Sequence, residues 1–330
     1  MLKITKRLLS SYKWSYVNGT STEPLIGLTL PRLIDQSAEK FPQNEALISC
    51  HQNIRKTFQE VKTDSEKLAA GLLALGLEKG DRIGIWGPNS YEWYQTQMAA
   101  SKAGLILVNV NPAYKSQELN YCINKVGIKA LISARSFRSS DYFKTFNELK
   151  SEDIPTLKYF VMFKNSEHDE IPSAVLNFAE ILNAGSEKEV EKLGQIGEIL
   201  QMDDPVNIQF TSGTTGSPKG ACLSHHNIVN NGKFIGLRIG YDKKIHRICC
   251  APPFYHCFGC VIGNVTAMIY GAAMVLPGPH FNATDCMKAV EKEKCTSIYG
   301  TPTMFTDMIQ IQRFDLIASE VCQNEKLNVF

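Results

Sequence analysis

The sequence predicts an α/β protein whose sheets are mostly parallel and carry helices on both faces. Between residues 30 and 134, short apolar runs alternate with amphipathic stretches of helical spacing, and the alternation resumes between residues 247 and 311. Composition agrees with a packed interior. Of the 330 residues, 44% are apolar and 21% charged, enough chain for two conventional domains or one large one.

Residues 30–41 read as a helix, because Leu33, Ile34, Ala38 and Phe41 recur at helical spacing and Pro42 stands beyond the end. Residues 58–75 form a second helix, stopped by Gly76. A short buried strand is expected at 82–86, closed by Gly87-Pro88, then a helix at 91–103 and a strand at 105–110. A helix at 117–125 and a strand at 129–134 follow. Residues 136–202 are less regular, and the charged run at 187–192 reads as a solvated helix face. Later come a strand at 247–251, a helix at 259–270 and a strand at 272–276. The last expected elements are a helix at 284–294, capped by Thr284 or Asn282, a strand at 297–300 and a helix starting at 303–311.

The clearest chemistry lies between these two blocks. Ile208-Gln209-Phe210 leads into Thr211-Ser212-Gly213-Thr214-Thr215-Gly216-Ser217-Pro218-Lys219-Gly220, and a helix-like run follows at 225–231. Glycines let main chain approach an anion closely, and successive N–H groups in such a loop form an anion-binding concavity. The hydroxyls of Thr211, Ser212, Thr214 and Thr215 are donors, and Lys219 is a point charge for phosphate. The helix behind the loop is expected to add the positive end of its dipole. This is a polyphosphate loop, and a Gly/Ser/Thr-rich surface turn does not account for the length of the pattern. It is not a Walker A loop, because Pro218 precedes the lysine and Gly220 follows it. An unrelated phosphate-loop NTPase is disfavoured on the same ground.

In open α/β sheets, ligands bind outside the carboxyl ends of the strands. The loop, Pro252-Pro253-Phe254-Tyr255-His256 and Tyr299-Gly300-Thr301-Pro302-Thr303 all stand at such ends and are expected on one rim. A histidine among aromatics, as His256 is, is by itself more often packed or exposed than functional. Gly87-Pro88-Asn89-Ser90 reads as a turn, and Asn109-Val110-Asn111-Pro112-Ala113-Tyr114 as architecture.

The string from Thr211 to Gly220 resembles the signature of the adenylate-forming superfamily, which holds acyl-CoA synthetases, peptide-synthetase adenylation domains and beetle luciferases. From about residue 25 to 314 the chain is similar to the front part of an acyl-CoA synthetase of the mitochondrial medium-chain branch. Trp86-Gly87-Pro88-Asn89-Ser90-Tyr91, Val110-Asn111-Pro112-Ala113-Tyr114, residues 208–231 and residues 299–305 carry that likeness. The resemblance implies part of the large N-terminal domain of the adenylate-forming fold. It implies carboxylate activation by ATP, with Mg²⁺ held through ATP and not by protein ligands, then capture of the acyl-adenylate by coenzyme A. The fatty acid implied is medium-chain. Thr211, Ser212, Gly213, Thr214, Thr215, Gly216, Ser217, Pro218 and Lys219 would hold the ATP phosphates. His256 would lie near the acyl carboxylate and phosphate, Tyr255 would help gate the acyl tunnel, and Gly300, Thr301 and Pro302 would border the acyl pocket.

The sequence departs from the family after Thr303. The later Tyr-Gly-x-Thr-Glu and Thr-Gly-Asp motifs, the hinge and the catalytic lysine of the small C-terminal domain are absent. The expected organisation is a basic segment at 1–24, a partial AMP-binding domain at 25–314 and a divergent tail at 315–330, with no small C-terminal domain. A truncated chain of this kind is expected to be inactive or weakly active alone. The alternative is a non-catalytic half-domain that binds a full-length relative or an acyl ligand.

Net charge is +2 and no basic block is interleaved with aromatics, which excludes a nucleic-acid partner from the reading. Ten cysteines lack paired spacing, so a reducing compartment is the simpler reading, and Cys257-Phe258-Gly259-Cys260 reads as core packing more than as a redox pair or half a zinc site. The uncharged stretch between His256 and His280 is broken by Gly271, Pro277 and Gly278, and reads as a buried helix and strand, not a membrane span. Lys3, Lys6, Arg7 and Lys13 precede the first acidic residue, Glu23. That is the charge sense of a mitochondrial presequence, and equally of a frayed basic terminus; the expected location is mitochondrial, otherwise cytoplasmic.

Overall fold

A computed structural model describes residues 21–211, 217–311 and 328–329; the basic N-terminal residues and most of the 315–330 tail lie outside the described residues. The strands are β1 (Glu45–Ser49), β2 (Ile54–Thr57), β3 (Arg82–Trp86), β4 (Ile106–Val110), β5 (Ile128–Ala134), β6 (Ser136–Phe137), β7 (Ser140–Asp141), β8 (Tyr159–Phe163) and β9 (Leu176–Asn177). They continue with β10 (Pro205–Thr211), β11 (Lys219–Ser224), β12 (Arg247–Cys250), β13 (Ala273–Leu276), β14 (Ser297–Tyr299) and β15 (Asn328–Val329). Seven form one sheet in the order β11-β10-β4-β3-β5-β8-β9, and six form a second in the order β15-β14-β12-β13-β1-β2. Each is parallel except at one edge, where β11 runs antiparallel to β10 and β2 antiparallel to β1.

Every residue of β4 is buried and β3 is nearly so, which is the signature of parallel strands covered on both faces. The helix Phe58–Ala74 starts with a reciprocal cap: Glu60 N–H donates to Thr57 Oγ1 at 3.2 Å and Thr57 N–H to Glu60 Oε2 at 2.8 Å. Gly76 at φ +85° ends its exit turn, as expected. The helix Tyr91–Lys102 begins on a Ser90 cap and leans on β3 and β4. A helical segment at Phe258–Val265 leans on β12, and Gln97 joins the two by donating to the Cys260 carbonyl at 3.0 Å. Packed helices thus fill the space between the sheets.

The structure adds elements to the sequence reading. The hairpin of β1 and β2 went unread, although an Arg55–Glu45–Arg247–Glu293 ring fastens it to β12 and to the helix Ala283–Glu293. β8 lies inside residues 136–202 and sits within the seven-stranded sheet, pairing with β5 and β9. The charged run opens the helix Glu187–Ile199. Asn282, not Thr284, caps the helix Ala283–Glu293. Residues 258–265 are wound as a π-helix before α-helix resumes at Thr266–Tyr270. Among the described residues no helix is long and apolar enough to cross a membrane.

Candidate active site

Lys219 stands where an antiparallel ladder fixes it. Thr211 ends β10, Lys219 opens β11, and the two residues pair across the ladder at the base of the glycine-rich loop. Ser212, Gly213, Thr214, Thr215 and Gly216 lie outside the described residues. Thr211, Ser217 and Lys219 are exposed. The Pro218 carbonyl accepts from the Tyr121 hydroxyl at 2.9 Å, which ties the lysine's limb of the loop to the helix Ser116–Val126.

One expectation is corrected here. The helix His225–Ile239 does not follow the loop directly, because the six residues of β11 intervene. That strand carries the chain about 20 Å away before the helix starts. The helix N-terminus is satisfied by its own cap, with Asn227 N–H donating to Ser224 Oγ at 3.2 Å, so its dipole does not serve the loop. Pairing to β10 satisfies the main chain of 219–224 before a helix can begin.

His256 is the exposed apex of a tight turn between β12 and the π-helix. Its N–H donates to the Pro253 carbonyl at 3.2 Å, and its carbonyl accepts from the N–H groups of Gly259 at 3.0 Å and Cys260 at 3.1 Å. Phe258 N–H donates to His256 Nδ1 at 3.1 Å. A ring nitrogen that accepts cannot also hold the proton, so the neutral imidazole carries it on Nε2 and presents an N–H donor. The turn closes tightly: a Cβ on Gly259 would lie 2.4 Å from the Pro253 carbonyl oxygen and 2.9 Å from Phe254 Cα.

The third segment adjoins the second because β12 and β14 are parallel neighbours, with Cys250 opposite Tyr299. Phe258 and Tyr299 rings lie 5.7 Å apart. Pro302 takes the first turn of the helix Pro302–Ile309, where its missing N–H costs nothing, and Thr301 Oγ1 meets Thr303 Oγ1 at 2.9 Å. A Cβ on Gly300 would lie 3.2 Å from the Phe305 ring, so Phe305 packs against this glycine. Tyr255 and Met304 line a cleft of about 240 Å³ together with Asn89, Pro112, Arg138 and His280. Arg138 sits at φ +52°, in the left-handed region that disfavours a side chain, with its guanidinium 5.4 Å from the Phe137 ring centre. Burial and then the Arg138 charge push the His280 pKa down, against the pull of Asp285.

The expected single rim is therefore two facing rims. The loop belongs to the seven-stranded sheet, and the His256 and Gly300 segments to the six-stranded one. Buried amides join them, and these the sequence reading took for turn and architecture. Asn89 Nδ2 donates to the Pro252 carbonyl at 3.0 Å, and Phe254 N–H donates to Asn89 Oδ1 at 2.7 Å. Asn109 Nδ2 reaches the Phe254 carbonyl at 3.2 Å and Cys260 Sγ at 3.4 Å. Gln209, two residues before the loop, reaches the same sulfur at 3.4 Å. Amides inside the apolar runs at 107–110 and 206–210 were the available signal, since a buried amide requires a partner. Cys260 is buried and free, Cys257 is free, and burial raises both thiol pKa values, that of Cys260 to about 12.

Comparison with known proteins agrees with this geometry. The AMP-binding enzyme family matches residues 34–326. The chain is 44% identical over 318 residues to the mitochondrial medium-chain acyl-CoA ligase ACSF2 of Danio rerio, covering 92% of this chain and 52% of that one. It is 40% identical over 311 residues to the Homo sapiens ACSF2, covering 89% and 50%. Among solved structures, the anthranilate CoA ligase AuaEII in complex with anthranoyl-AMP superposes with TM-score 0.75 at 19% identity, over 89% of this chain and 53% of that one. The N-terminal domain of FACL13 from Mycobacterium tuberculosis superposes with TM-score 0.72 at 20% identity, over 88% and 67%. The chain spans about half the length of the curated relatives it matches. With its two parallel sheets and the loop and histidine turn at their facing rims, this chain belongs to the AMP-binding enzyme family and carries part of the adenylate-forming ligase fold.

Proposed function

We propose that this chain provides the acid-activating part of an ATP-dependent acyl-CoA ligase that acts on medium-chain fatty acids in mitochondria. The observation that carries the reading is the tie through Gln209 and Cys260 between the base of the loop and the His256 turn. Lys219 and the Thr211 and Ser217 hydroxyls, at the two ends of the loop, are a donor set suited to a triphosphate, and none of them is a carboxylate that would repel it. Mg²⁺ arriving on the nucleotide would neutralise phosphate charge.

In the reaction a carboxylate oxygen attacks the α-phosphorus, the bond to the β-phosphate breaks, and pyrophosphate leaves. The coenzyme A thiol then attacks the acyl carbon, a thioester forms, AMP leaves and the thiol proton is released. His256 acts as a donor through Nε2–H to the carboxylate or phosphate oxygen, and not as a base, because Nδ1 is engaged by Phe258 N–H. The amphipathic cleft beside Tyr255, with the Arg138 guanidinium over Phe137, suits the phosphorylated arm of coenzyme A.

The test is pyrophosphate release by the 330-residue chain with ATP, Mg²⁺ and octanoate, beside Lys219→Ala. Release that requires both the acid and Lys219 supports the reading. A folded sample that binds ATP without Lys219, or releases pyrophosphate without any acid, overturns it.

A further inference from the structure

We propose that Asn89 and Asn109 are positioning residues that set the tautomer and the reach of His256. The His256 turn stands on two feet, and buried amides hold both. The front foot is Pro252–Phe254: Asn89 accepts from Phe254 N–H at 2.7 Å and donates to the Pro252 carbonyl at 3.0 Å, while Asn109 donates to the Phe254 carbonyl at 3.2 Å. The back foot is Cys260. Asn109 reaches its sulfur at 3.4 Å, Gln209 reaches the same sulfur at 3.4 Å, and Gln97 donates to its carbonyl at 3.0 Å. Asn109 thus spans both feet with one amide nitrogen.

The amides are themselves held in place. Asn109 Oδ1 accepts from Asn207 Nδ2 at 2.8 Å, and Asn207 Oδ1 accepts from Gln209 Nε2 at 2.6 Å. Gln97 Oε1 accepts from Asn264 Nδ2 at 2.8 Å. Asn89, Gln97, Asn109, Asn207, Gln209 and Asn264 are all at least 94% buried. Hydrogen bonds in such surroundings are strong and an unmatched group is costly, so the amides around Asn109 hold one another in place, while Asn264 Oδ1 at the margin of the network is left without a partner. The main-chain N–H of Asn89 also donates to the Pro279 carbonyl at 3.1 Å, beside His280 of the cleft. One residue therefore ties the exits of β3, β12 and β13 to the histidine.

The distance between the feet decides where Phe258 N–H points. Its bond to His256 Nδ1 keeps the proton on Nε2 and the ring in one orientation. Releasing either foot lets the turn open, and the ring loses both. The catalytic consequence rests on the function proposed above; the effect on the ring does not.

The experiment uses the chain with ¹⁵N-labelled histidine and follows the His256 ring nitrogens by long-range ¹H–¹⁵N NMR, with amide exchange at Phe254. In the parent protein the neutral ring of His256 is expected to be a single tautomer, with its proton on Nε2. In Asn109→Ala and Asn89→Ala the ring nitrogens are expected to average between tautomers, and Phe254 N–H to exchange at least tenfold faster. Asn89→Asp keeps an acceptor for Phe254 N–H but gives no donor to Pro252. It is expected to protect that amide while still averaging the ring, and it carries the test if the alanine variant does not fold. Ser65→Ala removes a buried hydroxyl bonded to the Val61 carbonyl within its own helix, outside the amide network, and is expected to leave the ring as in the parent. Where the parent releases pyrophosphate, the asparagine variants should lose about a hundredfold in kcat with the KM for ATP within about twofold. A parent without activity, as expected of a partial domain alone, leaves the functional proposal to the Lys219-dependence of ATP binding and leaves the ring measurement valid. Folded Asn89 and Asn109 variants that retain the single Nε2–H form overturn the inference, as does a Ser65→Ala variant that averages the ring equally.

Discussion

The phosphate-loop hairpin and the His256 turn face each other across the two sheets, and they are built on opposite plans. The hairpin sits on the sheet edge, with β11 exposed along most of its length and Lys219 in solvent. Its chemistry lies in local residue types. The turn is held from beneath by side chains distant in sequence, such as Asn89 and Asn109, and its apex is exposed while Tyr255 and Cys257 beside it are half-buried. A site can be specified by what its segment contains or by what the rest of the molecule does to that segment. The first kind is robust to packing changes and sensitive to charge. The second is the reverse.

The strongest test of that contrast is Gly259→Ala. The added Cβ meets main-chain atoms of Pro253 and Phe254 that cannot move independently, at 2.4 Å in the nearest case. Overpacking of this kind costs about 1–3 kcal/mol, so a lower thermal midpoint is expected together with a loss of acid-dependent pyrophosphate release beyond about a hundredfold. Unchanged stability would mean that the feet of the turn are not locked together. Lys219→Ala should separate the two plans from the other side. It is expected to lower kcat for pyrophosphate release by about a hundredfold while the thermal midpoint stays put, because no folded-state packing depends on an exposed ammonium.

Acid sharpens the comparison further. His225 caps the far end of β11 from the loop; it is buried, and its Nδ1 accepts from Leu30 N–H at 3.0 Å. Burial, reinforced by the Lys79 charge and opposed by Asp204, depresses its pKa from the ordinary 6.5 to about 4. Between those two values the unfolded chain binds the extra proton and the folded one does not. Stability is therefore full above pH 6.5 and falls as pH drops toward 4, by about 1.4 kcal/mol per unit for this group. Chemical denaturation at several pH values should show a slope that His225→Gln reduces, and a slope untouched by that change would place the acid sensitivity elsewhere. The smallest expected effect is that of Tyr121→Phe. It removes only the hydroxyl bonded to the Pro218 carbonyl, a bond worth about 1 kcal/mol, and should raise the KM for ATP by about fivefold without altering the His256 turn.

Much of the fold was legible because local patterns were sufficient. β3, β4 and β5 are short, mostly apolar runs and fell where their sequence placed them, as did the helices Phe58–Ala74 and Tyr91–Lys102. β1 and β2 were not legible, since four- and five-residue strands offer too little periodicity, and the ring of Arg55, Glu45, Arg247 and Glu293 that fastens them joins residues far apart in the chain. β11 was misread as a lead-in to a helix. Lys219-Gly220-Ala221-Cys222 has no strand character of its own and becomes a strand because β10 offers it an unpaired edge.

The sequence by itself pointed to a polyphosphate loop, because glycines, hydroxyls and one lysine in that order suit main-chain approach to an anion. It also determined the alternation that makes parallel sheets, and the family likeness carried by those motifs. The tertiary structure alone decided that two sheets and not one would share the site, that Phe305 would pack against Gly300, and that His256 would carry its proton on Nε2. The contacts of Phe305 with Gly300 and of Phe258 with His256 are local, whereas the joining of the two sheets depends on partners such as Asn89 and Phe254, 165 positions apart, which only the folded chain brings within hydrogen-bond reach.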